Sequence, residues 1–336
     1  MSNNISKLEH DNIVLLHLVD SKLNKNHLAH WIDVLKDSSI NFSCLVRNKK
    51  SFKELVVLYP QYQILFASTP LDVEVVVNAQ PTLKVVLFPL NASNNIHLIR
   101  FNHLKHIFIG TKNSDQLSII NRSYKVYDEI WLSSQFMLDK YNEIFNNTHL
   151  KFKMIGKPQI KNILNKNIQY EDRNKILITI SKSANNIKNY LSKILSFSQN
   201  ENISLILEDK KILGDLKNFV QAYSLNTNIV LDTSLLDNLA LYSKYIITDI
   251  DNISVFYLAY NQPLIVFVPE SIDKKSLQLD IPKEALYLFS TMDEFIEIID
   301  NIDKDIKKDQ REYYTNYLLG REETLNEVIY EELALL

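Results

Sequence analysis

The sequence contains little glycine and almost no cysteine. Only four of its 336 residues are glycines, where average usage would give roughly 24, and no two of them are close enough to share one loop. This excludes the P-loop and the G-x-G-x-x-G dinucleotide fingerprint, because both need several neighbouring glycines to bring backbone amides to phosphate. The single cysteine, Cys44, excludes a disulfide framework and a cysteine-based metal cluster, and it fits a reducing cytoplasm.

Long apolar runs and an excess of one charge are also missing. No stretch reaches about 18 uninterrupted apolar residues, and the polar start MSNNISKLEHDN lacks the apolar run of a signal peptide. We therefore predict a cytoplasmic protein that does not span a membrane. Peripheral contact at the inner face of the cell membrane, through the aromatic stripe REYYTNYLL, stays an open alternative. The formal net charge of -3 makes nucleic acid an unexpected partner.

Short apolar runs recur along the chain, and segments of helical period separate many of them. Continuous apolarity is typical of strands buried on both faces, as in parallel sheets. The intervening segments, such as HLAHWIDVLK and QFMLDKYNEIF, place apolar residues at spacings of three and four. This alternation predicts an α/β fold with parallel sheets and right-handed crossovers. The predicted strands are NIVLLHLV, FSCLVR, QILFAS, KVVLFPL, KHIFIGT, EIWLSS, KILITI, ISLILE, NIVLD, KYIITD and PLIVFVP.

The length of the chain and a pause in this pattern indicate two domains. A chain of 336 residues is long for one core, and the polar stretch 156–175 separates two sets of strands and helices. We predict a first domain over 1–158, a second over 159–302, and C-terminal helices over 303–336 that pack across both. Ligands of doubly wound sheets bind beyond the carboxyl ends of the strands. Polar residues just after each strand are therefore the site candidates.

An ordered series of short motifs resembles a known family. The motifs are Asn-Ile-His-Leu-x-Arg, His-x-Phe-Ile-Gly, a Ser-Asp pair, Tyr-Asp-Glu-Ile-Trp and Gly-Lys-Pro, followed in the second half by Ile-Thr-Asp. Their order is similar to that in the CDP-glycerol:poly(glycerophosphate) glycerophosphotransferase family of teichoic acid and capsule polymerases. The resemblance covers roughly residues 72–320 and is strongest up to about residue 160.

The resemblance implies a GT-B architecture, with two Rossmann-like, doubly wound domains that face a cleft and a helical C-terminal tail. It also implies a nucleotide-activated donor without an obligatory bound metal, and no cofactor is expected. The family's motif histidine, which looks like the base for the acceptor hydroxyl, is Thr111 here, and threonine does not take a proton at neutral pH. In the family, serines that follow a Thr-Asp segment contact the donor phosphates. Here Asp251 and Asn252 stand in that region, and a carboxylate there would repel a diphosphate by about 1 to 4 kcal/mol. The family's Pro-Thr-Trp segment is replaced by ITISKSANN.

Site candidates in the first domain come from the motif positions. His97 would act as the catalytic base or as a phosphate ligand, and a structural histidine that bonds a loop is the alternative. Asp115 is the second candidate base. Arg100 would bind a phosphate through its guanidinium, with a surface salt bridge as the alternative. The candidates on the acceptor side are Arg100, Thr111, Lys112 and Ser114.

Candidates for binding the donor phosphates lie mainly at helix starts in the second domain. The strand KILITI is followed by a short loop and an amphipathic helix, whose free amides and dipole favour anions. Ordinary helix capping is the alternative there and after the strand KYIITD. The lysine of Gly-Lys-Pro would reach a phosphate, unless that segment is only a hinge. The donor-side candidates are Lys157, Ser181, Lys182, Ser183, Thr248, Asp249 and Ser254.

Three functions are compatible with these features. The first is a transferase of cell-surface polysaccharide assembly that moves a glycerol-phosphate or sugar unit from a nucleotide-activated donor to a glycan or polymer acceptor. The second is a catalytically inactive GT-B protein that serves as the partner or glycan-binding subunit of a transferase, as the changed motifs suggest. The third is a glycosyltransferase that uses a nucleotide sugar, with the turn 181–183 as its diphosphate seat.

Overall fold

The computed structural model describes most of the chain. The described residues are 11–19, 24–110, 122–145, 150–158, 173–181, 190–191, 193–195, 202–207, 227–230, 236–320 and 329–333. The chain divides into two compact units. The first unit contains residues 1–159 and 320–336, and the second contains residues 160–319. Residues of the predicted C-terminal segment 303–336 are thus divided between the two units.

The first unit contains a seven-stranded sheet in which every neighbouring pair is parallel. The strand order is β3-β2-β1-β4-β5-β6-β7. The strands are β1 Val14–Leu18, β2 Phe42–Val46, β3 Gln63–Phe66, β4 Val85–Phe88, β5 Lys105–Phe108, β6 Glu129–Leu132 and β7 Lys151–Met154. The helices are α1 Asn24–Asp37, α2 Lys49–Leu58, α3 Pro70–Asn78, α4 Ile96–Ile99 and α5 Gln135–Ile144.

The second unit contains a six-stranded sheet, again parallel throughout, in the order β10-β9-β8-β11-β12-β13. The strands are β8 Lys175–Ile180, β9 Asn202–Leu207, β10 Thr227–Val230, β11 Ser243–Asp249, β12 Leu264–Phe267 and β13 Tyr287–Phe289. The helices are α6 Leu236–Leu241, α7 Met292–Asp300 and α8 Lys308–Leu319, and residues 190–191 and 193–195 are also helical. Counted along the chain of this unit, the order is 3-2-1-4-5-6, the Rossmann order.

Burial on both faces of each sheet explains the apolar runs. In β1, Leu16 faces a core cluster shared with Trp31 of α1, whereas Leu15 faces the opposite cluster shared with Val73 of α3. The β1 residues are buried along the whole strand, which is the condition that removes the polar alternation of a half-exposed sheet. The prediction of an α/β fold with two doubly wound parallel sheets is confirmed.

All eleven predicted strands are present, and two strands were missed. The missed strands, β7 and β13, both lie at the edge of a sheet. β7 has the sequence KFKM and is only partly buried, so it lacks the continuous apolar run used to find the others. β13 has three residues, which is too short for a periodicity. Edge strands are often short or charged, and these two were missed for that reason, whereas the edge strands β3 and β10 have apolar runs and were predicted.

Polar caps begin several helices directly after strands. Asn48 accepts from the amides of Lys50 and Ser51 at the start of α2. Thr69 and Asp72 form a reciprocal capping box at the start of α3. These caps satisfy amides that would otherwise lack partners at each helix start. They also hold the turns at the carboxyl ends of β2 and β3 in place.

Gly320, directly after α8, has a backbone that other residues rarely adopt. Its φ is +83°, and a Cβ there would collide with the carbonyl oxygen of Ser133. The chain then provides residues 329–333, a helical segment whose Ile329 and Leu333 are buried in the first unit. A glycine is therefore needed at this position.

Candidate functional site

Six predicted site residues lie outside the part of the chain that the structure describes. Thr111, Lys112, Ser114 and Asp115 belong to the predicted acceptor-side loop, and Lys182 and Ser183 belong to the predicted phosphate seat. Their roles stay predictions. The other seven are placed at or near the carboxyl ends of strands.

A group of polar residues lies near the carboxyl ends of β1, β2 and β4 in the first sheet. Here β1 and β4 are neighbours, while the chain continues from β1 to one side of the sheet and from β4 to the other. Such a switch point is where doubly wound sheets bind ligands. We call this group the Arg47 cluster; it consists of His17 in β1, Arg47 directly after β2, and Asn95 and His97 after β4.

Arg47 is the cation of the cluster. Its side chain has little access to solvent, since the residue is 9% exposed. One guanidinium nitrogen, Nη2, donates to the carbonyl oxygen of Ser68 at 3.2 Å and lies 3.0 Å from Nδ1 of His97. The other two nitrogens, Nε and Nη1, are buried without a hydrogen-bond partner among the described residues. Because Nε carries one hydrogen and Nη1 two, three of the five guanidinium N–H groups have no acceptor.

The contact with Arg47 determines the proton position on His97. An arginine nitrogen only donates, so Nδ1 of His97 must accept, and the proton of the neutral ring then lies on Nε2. Burial, followed by the charges of Arg47 and Arg100, lowers the pKa of His97 below its usual value. The ring is therefore neutral at neutral pH and presents an Nε2–H donor. In this state His97 donates a hydrogen bond and cannot take a proton unless the contact with Arg47 is broken.

His17 lies deeper in the same cluster. The ring packs edge-on against Phe88, with 5.6 Å between centroids. Among the described residues neither ring nitrogen forms a hydrogen bond of regular geometry, and a side-chain interaction with Asn95 opposes the lowering of its pKa. Burial first, and then the charge of Arg47, lowers the pKa of His17 to about 3. His17 is therefore a neutral imidazole in the folded protein.

Asn95 connects the cluster to the core of the first unit. Its Nδ2 donates to the carbonyl oxygen of Leu90 and to the hydroxyl of Tyr127, both at 2.8 Å. The Tyr127 hydroxyl in turn donates to Oδ1 of Asn91 at 2.9 Å. Oδ1 of Asn95 itself is buried without a partner. Two hydrogen bonds of Asn95 Nδ2 therefore attach the start of α4, which carries His97, to the core. Oδ1 of Asn95 remains available as an acceptor.

Arg100 is exposed and is engaged in a surface ion pair. Its Nη2 lies 3.0 Å from Oε2 of Glu74 and 3.1 Å from the carbonyl oxygen of Pro70. The salt bridge that was the alternative to phosphate binding is therefore present. Pairs of this exposure contribute about 0 to 1 kcal/mol, so a ligand could still compete for the guanidinium.

In the second sheet, the Asp249 carboxylate joins the ends of β8 and β11. Oδ2 accepts from the amide of Ser181 at 2.9 Å. Oδ1 accepts from the amides of Asp251 and Asn252 at 3.0 and 3.1 Å. The residue is 3% exposed. We call these four residues the Asp249 network; in it the carboxylate shapes two neighbouring turns, which is a positioning role.

Thr248 and Ser254 also make contacts inside the protein. The Thr179 hydroxyl donates to Oγ1 of Thr248 at 3.0 Å and lies 3.2 Å from the hydroxyl of Tyr257, and Thr248 is fully buried. Ser254 accepts from the amide of Phe256 at the start of the short helix 255–260. Helix capping, the alternative raised for this region, is therefore present at Ser254. Lys157 is buried in the first unit.

Sequence reasoning missed His17 and Arg47. His17 lies within the apolar run NIVLLHLV, where a single histidine looks like a core residue. Arg47 ends the run FSCLVR and so directly follows a predicted strand. That position is the signal that could have identified it, because it is where ligands of such sheets bind.

Within the described ranges, no helix combines the length and apolarity needed to cross a bilayer. The same ranges contain no group of three or more His, Cys, Asp or Glu side chains placed to hold a metal ion.

Solved structures with the same fold belong to enzymes of activated-sugar and polymer chemistry. The wall teichoic acid polymerase TagF is 12% identical, with a TM-score of 0.59 over 99% of this chain and 91% of that chain. The UDP-GlcNAc 2-epimerase from Neisseria meningitidis bound to UDP-GlcNAc is 12% identical, with a TM-score of 0.60 over 96% and 100% of the two chains. A glycosyltransferase from Rickettsia africae ESF-5 is 13% identical, with a TM-score of 0.53 over 96% and 99%.

The two Rossmann-like sheets and these likenesses define the class of the fold. The chain has the GT-B architecture, and that prediction is confirmed. No protein-family model matches the chain, and no curated protein matches it in sequence. At 10 to 13% identity, the likenesses establish the fold and leave donor and acceptor to chemical argument.

Proposed function

We propose that this chain is a GT-B transferase of cell-surface polysaccharide assembly. It moves a glycerol-phosphate or sugar unit from a nucleotide-activated donor to a glycan or polymer acceptor. The observation that carries this proposal is the likeness in fold to the wall teichoic acid polymerase over 99% of this chain, in combination with the ordered family motifs of the sequence. One structure of that polymerase was obtained after a soak with CDPG.

The donor side of the proposed site is the second unit. The segment after β8 would receive the donor phosphates through Ser181, Lys182 and Ser183, because the sequence predicts a helix start there and helix starts favour anions. Asp249 would act indirectly, because its contact with the Ser181 amide holds this turn. Lys157 and Ser254 are further donor-side candidates from the motif positions.

The acceptor side is the loop after β5 in the first unit. In the transfer, an acceptor hydroxyl oxygen forms a bond to the phosphorus or anomeric carbon of the donor, and the nucleotide leaves with the electrons of the broken bond. The hydroxyl proton passes to a base. Asp115 is the better candidate for that base, because His97 already carries a proton on Nε2 when it accepts from Arg47. Lys112 and Ser114 would hold the acceptor.

A catalytically inactive GT-B protein is the second candidate function. Two observations favour it: the position of the family's motif histidine is Thr111, and both carboxylate oxygens of Asp249 are already occupied by backbone amides. Such a protein would serve as the partner or glycan-binding subunit of a transferase. It would be found in the cytoplasm or at the inner face of the membrane, as would the enzyme.

Calorimetry with CDP-glycerol and UDP-GlcNAc on the full chain tests the proposal. We expect the wild type to bind at least one of them. Lys182→Gln should weaken that affinity about tenfold or more, because it removes a charge next to the donor phosphates. Lys275→Gln is the matched control, since Lys275 is an exposed lysine of the same unit, and it should leave the affinity unchanged.

Turnover separates the two candidate functions. Release of CMP or UDP in the presence of an acceptor polymer supports the transferase, and Asp115→Asn should then abolish it while nucleotide binding persists. Binding without release, together with co-purification of a second transferase, would favour the inactive partner. Absence of binding to every nucleotide tested would overturn the transferase proposal.

A further inference from the structure

The Arg47 cluster has more hydrogen-bond donors than acceptors. Three N–H groups of Arg47 are unpaired, the Nε2–H of His97 points away from its contact with Arg47, and the neutral ring of His17 adds one more N–H. Against these five N–H groups the described residues supply two unused acceptors, Oδ1 of Asn95 and the unprotonated ring nitrogen of His17. A buried donor without a partner weakens the folded state. A ligand with several acceptor oxygens would remove this imbalance.

Among the described residues, no carboxylate contacts the positive charge of Arg47. The neighbouring carboxylate of Asp72 is engaged elsewhere, because its Oδ2 accepts from the amides of Ser68 and Thr69 at 3.1 and 2.8 Å. Glu74 is paired with Arg100. Among the described residues, Arg47 forms no ion pair of its own. Since both histidines are neutral at neutral pH, the guanidinium leaves one net positive charge in the cluster.

We propose that the Arg47 cluster is a binding site for a phosphate-type oxyanion, with Arg47 as the main ligand and His17 and His97 as neutral donors. The donors come from three separate elements: β1, the turn after β2, and α4. A tetrahedral group with oxygens in several directions fits this arrangement better than a planar carboxylate. The inference goes beyond the proposed function, because it holds whether the chain transfers a group or only binds one.

Entry of the anion requires a local side-chain movement. The unpaired Arg47 nitrogens are covered from solvent as well as from acceptors, whereas His97 is only partly buried. Rotation of the His97 ring away from Arg47 would free Nη2 and open the guanidinium to an anion. The same rotation would exchange a contact between the guanidinium and a neutral ring nitrogen for hydrogen bonds between the guanidinium and an anion.

The test is a titration of the full chain with inorganic phosphate. Calorimetry measures the binding, and the shift in the melting temperature measures it independently. We expect the wild type to bind phosphate in the millimolar range and acetate more weakly. Arg47→Gln should weaken phosphate binding about 30-fold or more, as expected for loss of the charged partner of a buried pair. Lys84→Gln is the control: it removes one positive charge from an exposed position at the opposite end of β4 and should leave the affinity unchanged.

Each outcome has a definite meaning. Absence of a phosphate-dependent shift in the wild type at tens of millimolar phosphate would overturn the proposal, as would equal losses in Arg47→Gln and Lys84→Gln. Acetate bound as tightly as phosphate would overturn the choice of a tetrahedral group. Far-ultraviolet circular dichroism of Arg47→Gln establishes that the variant is folded. Phosphate binding without nucleotide binding would refute the transferase proposal and support this anion site. Nucleotide binding without phosphate binding would support the transferase proposal and refute this anion site.

Discussion

The carboxyl ends of the two sheets carry polar residues in equivalent topological positions, but these residues are satisfied to different degrees. In the second sheet, both oxygens of Asp249 accept from backbone amides. In the first sheet, Arg47 and His17 keep buried nitrogens without partners. Selection for folding alone would remove unpaired buried donors, because each weakens the folded state. The second sheet thus uses the polar groups of Asp249 to shape turns, whereas the unpaired donors of the first sheet fit the anion site that we propose.

The largest expected effect tests whether Asp249 shapes the turns of the second sheet. Asp249→Ala removes the acceptor of three amides and should lower the stability of the second unit by about 3 kcal/mol. Hydrogen exchange measures this locally: amides of β8 and β11 should lose protection, and amides of β1 and β4 should keep it. Asp249→Asn retains one acceptor oxygen and should have a smaller effect.

Equal exchange in both units of Asp249→Ala would contradict this role. Fluorescence gives an independent check, because both tryptophans, Trp31 and Trp131, belong to the first unit. Their unfolding transition should be unchanged in the variant.

An effect of intermediate size concerns the free energy of unfolding at acidic pH, which depends on His17. Its folded pKa of about 3 lies below the usual value of 6.5, so between these values the unfolded chain binds a proton that the folded protein does not. The neutral His17 ring therefore makes its full contribution to the free energy of unfolding above the unfolded pKa. This contribution is lost as the pH falls towards the folded pKa. Between about pH 7.5 and pH 5, the wild type should lose about 2 kcal/mol more than His17→Phe.

Phenylalanine keeps a ring against Phe88 and cannot be protonated, which makes the comparison specific to the imidazole. Tryptophan-monitored urea unfolding at several pH values measures the difference. Parallel pH profiles for wild type and variant would show that His17 does not remain neutral in the folded state.

The smallest effect has the opposite sign. Arg47→Met removes a buried cation that no carboxylate contacts, and it should raise the stability of the first unit by about 1 kcal/mol while it abolishes phosphate binding. The same urea unfolding, in the absence of phosphate, is the measurement. A loss of stability would mean that the two contacts of Nη2 outweigh the cost of the buried charge, and the contrast between the two sheets would then be weaker.

Much of the fold followed from local composition. The eleven apolar runs predicted the nine inner strands and the edge strands β3 and β10, since a strand that is buried on both faces has few alternatives to Val, Ile, Leu and Phe. The edge strands β7 and β13 escaped, because β7 is charged and only partly buried and β13 has only three residues. In the structure, Asp249 ends β11 and His97 lies in α4, after β4, but a family motif cannot state which of their atoms remain unpaired.

The sequence by itself determined the α/β class, the number of sheets and the positions where polar residues follow strands. The tertiary structure alone decided which of these residues meet. Arg47 and His97 are 50 positions apart, and Ser181 and Asp249 are 68 positions apart, so no local pattern connects them. Whether a buried polar group is satisfied depends on distances and directions between separate elements, and only the folded chain brings those elements together.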